Sequence, residues 1–186
     1  MPSHRAVRRR QLLLSLPAVV MAVRHPGALA QPMELDAPNV VVISPQLVTA
    51  GQPKAAALSR LAALGFGADI YLAPVTVPDA VRDEAAIIER QGLAYVNIPI
   101  PFDNPLEADF DAFVAAMARF RDTKVLVHCQ VNMRASSMVF LHRVIVGNEP
   151  AEPAYESVAK VWTPRGPWRS LILSLLRKNH IAFEPY

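Results

Sequence analysis

Within residues 124–136 the run Val125-Leu126-Val127 is wholly apolar and delivers His128 and the chain's one cysteine, Cys129, to what reads as a strand end. After four intervening residues, Arg134 opens a segment almost as apolar, with Met138, Val139, Leu141, Val144 and Ile145 at helical intervals. An apolar strand feeding through a short loop into an apolar helix must be covered on both sides, which leaves few folds open. The same arrangement presents backbone N–H groups and the positive end of a helix dipole to an anion. A cysteine at the start of such a loop is held as thiolate, and an arginine at its end forks onto an oxyanion.

The rest of the chain repeats the alternation. Residues 39–43 and 47–48 read as short strands, the second ending in the turn Gly51-Gln52-Pro53. A helix is expected from Lys54, with Leu58, Leu61 and Leu64 on one face and Gly65 and Gly67 as stops. Residues 68–72 and 93–98 supply further strands, separated by a helix opened by Pro78-Asp79 and closed by Gly92. Leu106, Phe110, Phe113, Val114, Met117 and Phe120 then mark a helix, with Asn104 as its expected N-cap and Pro105 at its first position. Two more helices are expected over 153–162 and 167–178. The fold class predicted is α/β, a mostly parallel central sheet with helices on both faces and its site at the carboxyl ends of the strands.

The N-terminus reads differently. Arg5, Arg8, Arg9 and Arg10 precede a largely apolar stretch over 12–23 and the small-residue pattern Ala28-Leu29-Ala30, so residues 1–30 are expected to be an export signal. Arg9-Arg10-Gln11-Leu12-Leu13 gives it a twin-arginine character, with general export as the alternative route. The apolar core is shorter than the roughly 20 residues of a membrane span. Residues 31–38 are the expected linker and 39–186 a single domain, exported, periplasmic, and without a stable membrane anchor once the signal is cut. Much of the net charge of +3 sits in that arginine cluster, so the sequence carries no nucleic-acid footprint. In an exported protein, a single cysteine has no internal disulfide partner and is either inert or kept for chemistry.

The His128-Cys129 pair, the arginine and the following hydroxyl at Ser136 resemble the phosphate-binding loop of the cysteine-dependent protein tyrosine and dual-specificity phosphatases. The Gly51-Gln52-Pro53 start and the Pro99-Ile100-Pro101 approach are similar to the small bacterial phosphatase-like subgroup. The resemblance implies that Cys129 is a nucleophile forming a phosphocysteine and that Arg134 binds two phosphoryl oxygens. It implies that Asp103 serves as general acid and then base, that His128 orients the loop and favours the thiolate, and that Ser136 donates to the sulfur. Gln130, Val131, Asn132, Met133 and Arg134 would cradle the phosphoryl group. The substrate implied is a phosphorylated small molecule or phosphoprotein, hydrolysed without metal or other cofactor.

The loop departs from that family in length, with four residues between Cys129 and Arg134 where the family has five. It holds no glycine, and Asn132 is the one residue in it that accepts positive φ cheaply. If the alignment is anchored on Ser136 instead, the loop keeps its family length and Ala135 stands in the arginine's place; both alignments stay open. The six-residue span from cysteine to arginine is the length found in rhodanese-like sulfurtransferases, which form a persulfide. A catalytically inactive anion-binding module is the third reading. His142 and His180 read as structural or exposed, Asp109 and Asp111 as a solvated helix face, and no histidine, aspartate or glutamate pair shows metal-ligand spacing.

Overall fold

The computed structural model describes residues 35–186. The expected export signal and the first part of the linker lie outside the described residues.

Five strands form one sheet in the order β1-β2-β5-β3-β4: β1 Val41–Ser44, β2 Leu47–Ala50, β3 Ala68–Tyr71, β4 Ala94–Asn97 and β5 Val125–His128. Only the β1/β2 pair is antiparallel; β2, β5, β3 and β4 run parallel. β5 is central, with His128 set between Ala50 of β2 and Tyr71 of β3. A strand flanked on both edges and both faces has no wet side, which is why Val125, Leu126 and Val127 are all apolar.

Side chains alternate across the sheet, so the strands feed two cores. Val125, Val127 and Cys129 join the larger one, with α3 Glu107–Arg119, α4 Met133–Ile145, α5 Ala151–Ala159 and α6 Gly166–Lys178. Leu126 joins the smaller one, with Val48 and Ala50, beneath α1 Ala55–Leu58 and α2 Glu84–Glu89. The same alternation sends His128 toward the smaller layer while Cys129 faces the larger. α4 is buried from Arg134 through Leu141, as its sequence demands, and Trp168, Leu171, Ile172, Leu175 and Leu176 give α6 its inward stripe.

Two helix starts differ from expectation. α2 begins at Glu84 rather than at Pro78, because residues 74–84 close separate four-residue turns (Val77 N–H to the Pro74 carbonyl, Ala80 to Val77, Glu84 to Val81) instead of a helical ladder. α3 begins at Glu107 rather than at Pro105. The Asn104 N–H turns back to the Pro101 carbonyl, and the Asp109 carboxylate accepts the Leu106 N–H at 2.8 Å, capping the helix from inside its first turn.

Candidate functional site

The loop leaves β5 at Cys129, which is fully buried, and enters α4 at Asn132, which stands at φ 71° in the left-handed region. That conformation turns the chain sharply enough to start a helix without a glycine. Asn132 is fixed there by its own amide, whose Nδ2 donates to the Asn39 carbonyl at 2.6 Å and to Thr49 Oγ1 at 3.0 Å. From the β1/β2 side, the Gln52 N–H donates to the Gln130 carbonyl at 2.9 Å and Asn39 Nδ2 donates to the Val131 carbonyl at 3.0 Å. In the planar peptide that joins Gln130 to Val131, the N–H lies opposite the carbonyl, so the Val131 N–H faces away from Gln52. Gly51 lies against Val131, and a Cβ there would meet the Gln130 carbonyl oxygen and Pro38 Cβ, each at 2.8 Å. Only glycine permits that approach.

Replacing Asn132 by alanine leaves an unfavourable φ and strips the buried Thr49 hydroxyl and the part-buried Asn39 carbonyl of their donor, a combined cost of about 1–3 kcal/mol. Chemical denaturation should show a loss on that order. A variant as stable as the parent would mean that the loop relaxes out of this conformation at no cost.

Arg134, in the first turn of α4, is 4% exposed. Its Nε donates to the Ile100 carbonyl at 2.9 Å, and Nη1 donates to Gln130 Oε1 at 3.3 Å. Gln130 in turn donates from Nε2 to Asp79 Oδ1 at 2.8 Å. The Phe102 ring covers the guanidinium at 5.0 Å, and Trp168 Nε1 donates to the Phe102 carbonyl at 2.8 Å. The arginine is therefore aimed back over its own loop and tied to the turn that carries Asp103. Asp103 is exposed, beside Phe102 on that turn, and Met133 is half-buried at the loop's end. The structure thus brings Cys129, Gln130, Asn132 and Arg134 together, with Asp103 on an adjoining segment. Ser136 is spent differently: its hydroxyl donates to the Met133 carbonyl at 3.2 Å, inside its own helix, rather than to the sulfur.

Beneath the loop lies a group that sequence spacing does not reveal. His128 Nε2 sits 2.8 Å from Glu84 Oε1 and 3.2 Å from Asp69 Oδ1, and all three residues are buried. Neither oxygen lies in line with an N–H of the ring, so this is an ion-pair contact to two carboxylates rather than a formed hydrogen bond. Gln52 Nε2 donates to the second Glu84 oxygen at 2.7 Å, and Tyr71 stacks on the imidazole at 4.8 Å. The three ligand-type atoms lie within 4.8 Å of one another, the one such set among the described residues that could hold a cation. One signal was available in sequence: Asp69 is a carboxylate in the middle of a strand that the fold buries. Glu84 carried none, since its helix was expected to start earlier.

Burial alone would strip the proton from His128, but attraction to Asp69 and Glu84 outweighs it and raises its pKa to about 10. Burial also raises the Asp69 carboxyl, with Glu84 adding to the effect and His128 opposing it. Both groups thus hold protons more tightly folded than unfolded. The His128 contribution is complete below its ordinary value of 6.5 and is lost as pH climbs toward 10. The melting temperature should fall steadily over that window, and His128→Gln should flatten the slope; an equal slope in the variant would assign the dependence elsewhere.

Comparison with known proteins fits this architecture. No family model matches the chain. Beta-lactamase hydrolase-like proteins of two Xylella fastidiosa strains are 34% identical over 112 residues, which is 59% of this chain and 26% of theirs, so the chain spans about a quarter of these curated relatives. Among solved structures, a phosphatase-family (DUF442) protein from Shewanella putrefaciens CN-32 superposes with a TM-score of 0.71 at 30% identity, covering 77% of this chain and 94% of that one. The PP-IP phosphatase SIW14 of S. cerevisiae shares the fold at a TM-score of 0.60 and 13% identity, over 82% of this chain and 100% of its catalytic domain. Tk-PTP does so at 0.59 and 20%, over 75% and 93%. Fold and loop define a phosphatase-like α/β protein. The chain belongs to the DUF442 family of phosphatase-like proteins, and its fold is shared by the phosphatase SIW14 and by Tk-PTP.

Proposed function

We propose that the protein hydrolyses phosphoric monoesters through a phosphocysteine on Cys129. The observation that carries this reading is the geometry of Arg134, whose guanidinium is anchored through Nε to the Ile100 carbonyl while Nη1 donates to Gln130 of the loop that begins at Cys129. In the first step the Cys129 thiolate attacks phosphorus and the ester P–O bond breaks, Asp103 giving its proton to the departing oxygen. In the second, Asp103 takes a proton from water as that water attacks the phosphocysteine and frees the thiolate. Arg134 balances the charge on the equatorial oxygens, aided by amides of residues 130–134 and by the N-terminal end of α4. With Nε already engaged, the arginine would grip the oxyanion end-on, and Gln130 would have to release Nη1. Phosphoproteins or phosphorylated small molecules delivered to the periplasm are the proposed substrates, with residues 1–30 as the export signal.

One observation favours a second reading. The ring closed between Cys129 and Arg134 is short and the thiol is fully buried, which suits a small reactive group. Sulfur transfer would use the same thiolate: it takes the outer sulfur of thiosulfate, releases sulfite, and passes that sulfur to a thiophilic acceptor such as cyanide. One experiment separates the readings. The protein is incubated with an aryl phosphate between pH 5 and 8, and separately with thiosulfate and cyanide, and the adduct on Cys129 is identified by mass. Aryl phosphate turnover with a phosphoryl adduct supports the proposal. A persulfide with thiocyanate release replaces it by the second reading, and phosphate-dependent thermal stabilisation without turnover would leave only anion binding.

A further inference from the structure

Among the described residues, ten buried side-chain nitrogen and oxygen atoms have no hydrogen-bond partner, and seven of them fall in one place. Five are Asp69 Oδ1 and Oδ2, Glu84 Oε1 and both ring nitrogens of His128; the other two, Gln52 Oε1 and the Tyr71 hydroxyl, belong to residues in contact with that set. Buried polar atoms rarely go without a partner, and a concentration of them in one layer marks a bound group. The layer is otherwise apolar, built from Leu58, Leu61, Ile88 and Leu126.

We propose that Asp69, Glu84 and His128 hold a divalent transition-metal ion of the zinc type, which ties α2 to β3 and β5 beneath the loop. The donor atoms converge: His128 Nε2 stands 2.8 Å from Glu84 Oε1 and 3.2 Å from Asp69 Oδ1, and the three ligand atoms lie within 4.8 Å of one another. Around a tetrahedral zinc ion bound at about 2.0–2.2 Å, neighbouring donors stand roughly 3.3–3.6 Å apart, so side-chain adjustments alone close the set on a cation. Gln52 prepares one ligand, since its Nε2 engages the second Glu84 oxygen at 2.7 Å and leaves Oε1 turned to the imidazole.

Charge decides between a cation and water. A water molecule would satisfy some of the oxygens, but two carboxylates against one imidazolium still enclose an excess negative charge at 0–3% exposure. A divalent cation with the imidazole neutral leaves none. One imidazole with two carboxylates suits zinc and its neighbours; calcium takes roughly six to eight oxygens and magnesium keeps several waters, neither of which this enclosed set offers. In the metal-free chain a proton on His128 stands in for the cation, and the fall in melting temperature with pH belongs to that form. The fold gives the ion a task. α2 has only six residues and carries Glu84 at its start. A helix that short holds only through what it packs on, and a metal bond to the central strand anchors it.

Because the three residues are enclosed, the full chain is unfolded in urea with a chelator and refolded with or without Zn²⁺. The loaded chain should hold one zinc ion by elemental analysis. At about a hundredfold excess over the dissociation constant, its melting temperature should rise by on the order of 5–10 °C. Asp69→Asn and Glu84→Gln preserve size and remove one ligand charge; each should weaken zinc binding about tenfold or more and lose most of that rise. Cys129→Ser should keep both, because the thiol faces the opposite core. Cobalt in the wild-type chain is the second measurement and decides the matter should the carboxylate variants fail to fold: its visible spectrum should show nitrogen and oxygen ligation without a thiolate charge-transfer band. Substoichiometric metal in the loaded chain, zinc held at full affinity by folded Asp69→Asn and Glu84→Gln, or a thiolate band with cobalt would each overturn the proposal. None of these readouts depends on turnover, so failure of the phosphatase reading would leave the metal site standing.

Discussion

Cys129→Ser should abolish turnover of an aryl phosphate, with a loss on the order of 10⁴–10⁶-fold if serine behaves as other removed nucleophiles do. A hydroxyl is ionised far less readily than a thiol, and neither His128 nor Arg134 is placed to take its proton as a neutral base would. The fold should tolerate the change, since the cost is that of a buried hydroxyl, about 1–3 kcal/mol if no partner is found for it. Phosphate should still bind, because Arg134 keeps its anchor on Ile100 and the loop its braces on Asn39 and Gln52. The measurement is therefore paired: steady-state turnover for the loss, and thermal shift with inorganic phosphate for the retained site. A serine variant that hydrolyses the ester at even a hundredth of the parent rate would end the phosphocysteine mechanism.

The second large effect is expected in α6, at Trp168. Trp168 is 1% exposed and packs with its ring 6.0 Å from Phe102 and 6.4 Å from Trp162, while its Nε1 holds the Phe102 carbonyl. Trp168→Ala should cost about 3–5 kcal/mol, the usual range for removing a fully enclosed aromatic. Activity should fall as well, because Phe102 is both the cover of Arg134 and the neighbour of Asp103. Trp168→Phe separates the two effects. It keeps most of the packing but loses the N–H donor, so urea denaturation should report a loss of only about 1 kcal/mol while kcat drops. Full activity in Trp168→Phe would show that the turn carrying Asp103 needs no tether from α6.

Much of this architecture is legible in the chain because its determinants are local. The wholly apolar run before His128 could only be an inner strand, and Asn132 was the one loop residue able to take positive φ; it stands at 71°. The helix starts were less legible because the cues compete. Pro78 and Pro105 both suit a first helical position, yet the turns at Val77–Ala80 and at Pro101–Asn104 capture the backbone donors first. Ser136 differs from expectation for a related reason: a helical serine readily donates to a carbonyl three residues back in its own helix. Around His128 only Asp69, a carboxylate in mid-strand, leaves a signal in the sequence; the grouping does not, since Asp69, Glu84 and His128 come from three separate elements that meet only once the parallel register of β3 and β5 is set. Asn39, Gly51 and Gln52 belong with them, as loop braces that sit far from the loop in sequence.

Those braces bear on the energetics of recognition. A loop whose carbonyls at 130 and 131 are already tied, and whose one left-handed residue is held by two donated hydrogen bonds, has little conformational freedom left to lose when an oxyanion arrives. The ordering entropy that a floppy loop surrenders at each encounter is here surrendered once, during folding. On the proposed function, affinity for the anion would be governed by displacement of water and of the Gln130 amide from Arg134, and uptake would proceed at the pace of a single side-chain rotation rather than of a loop closure.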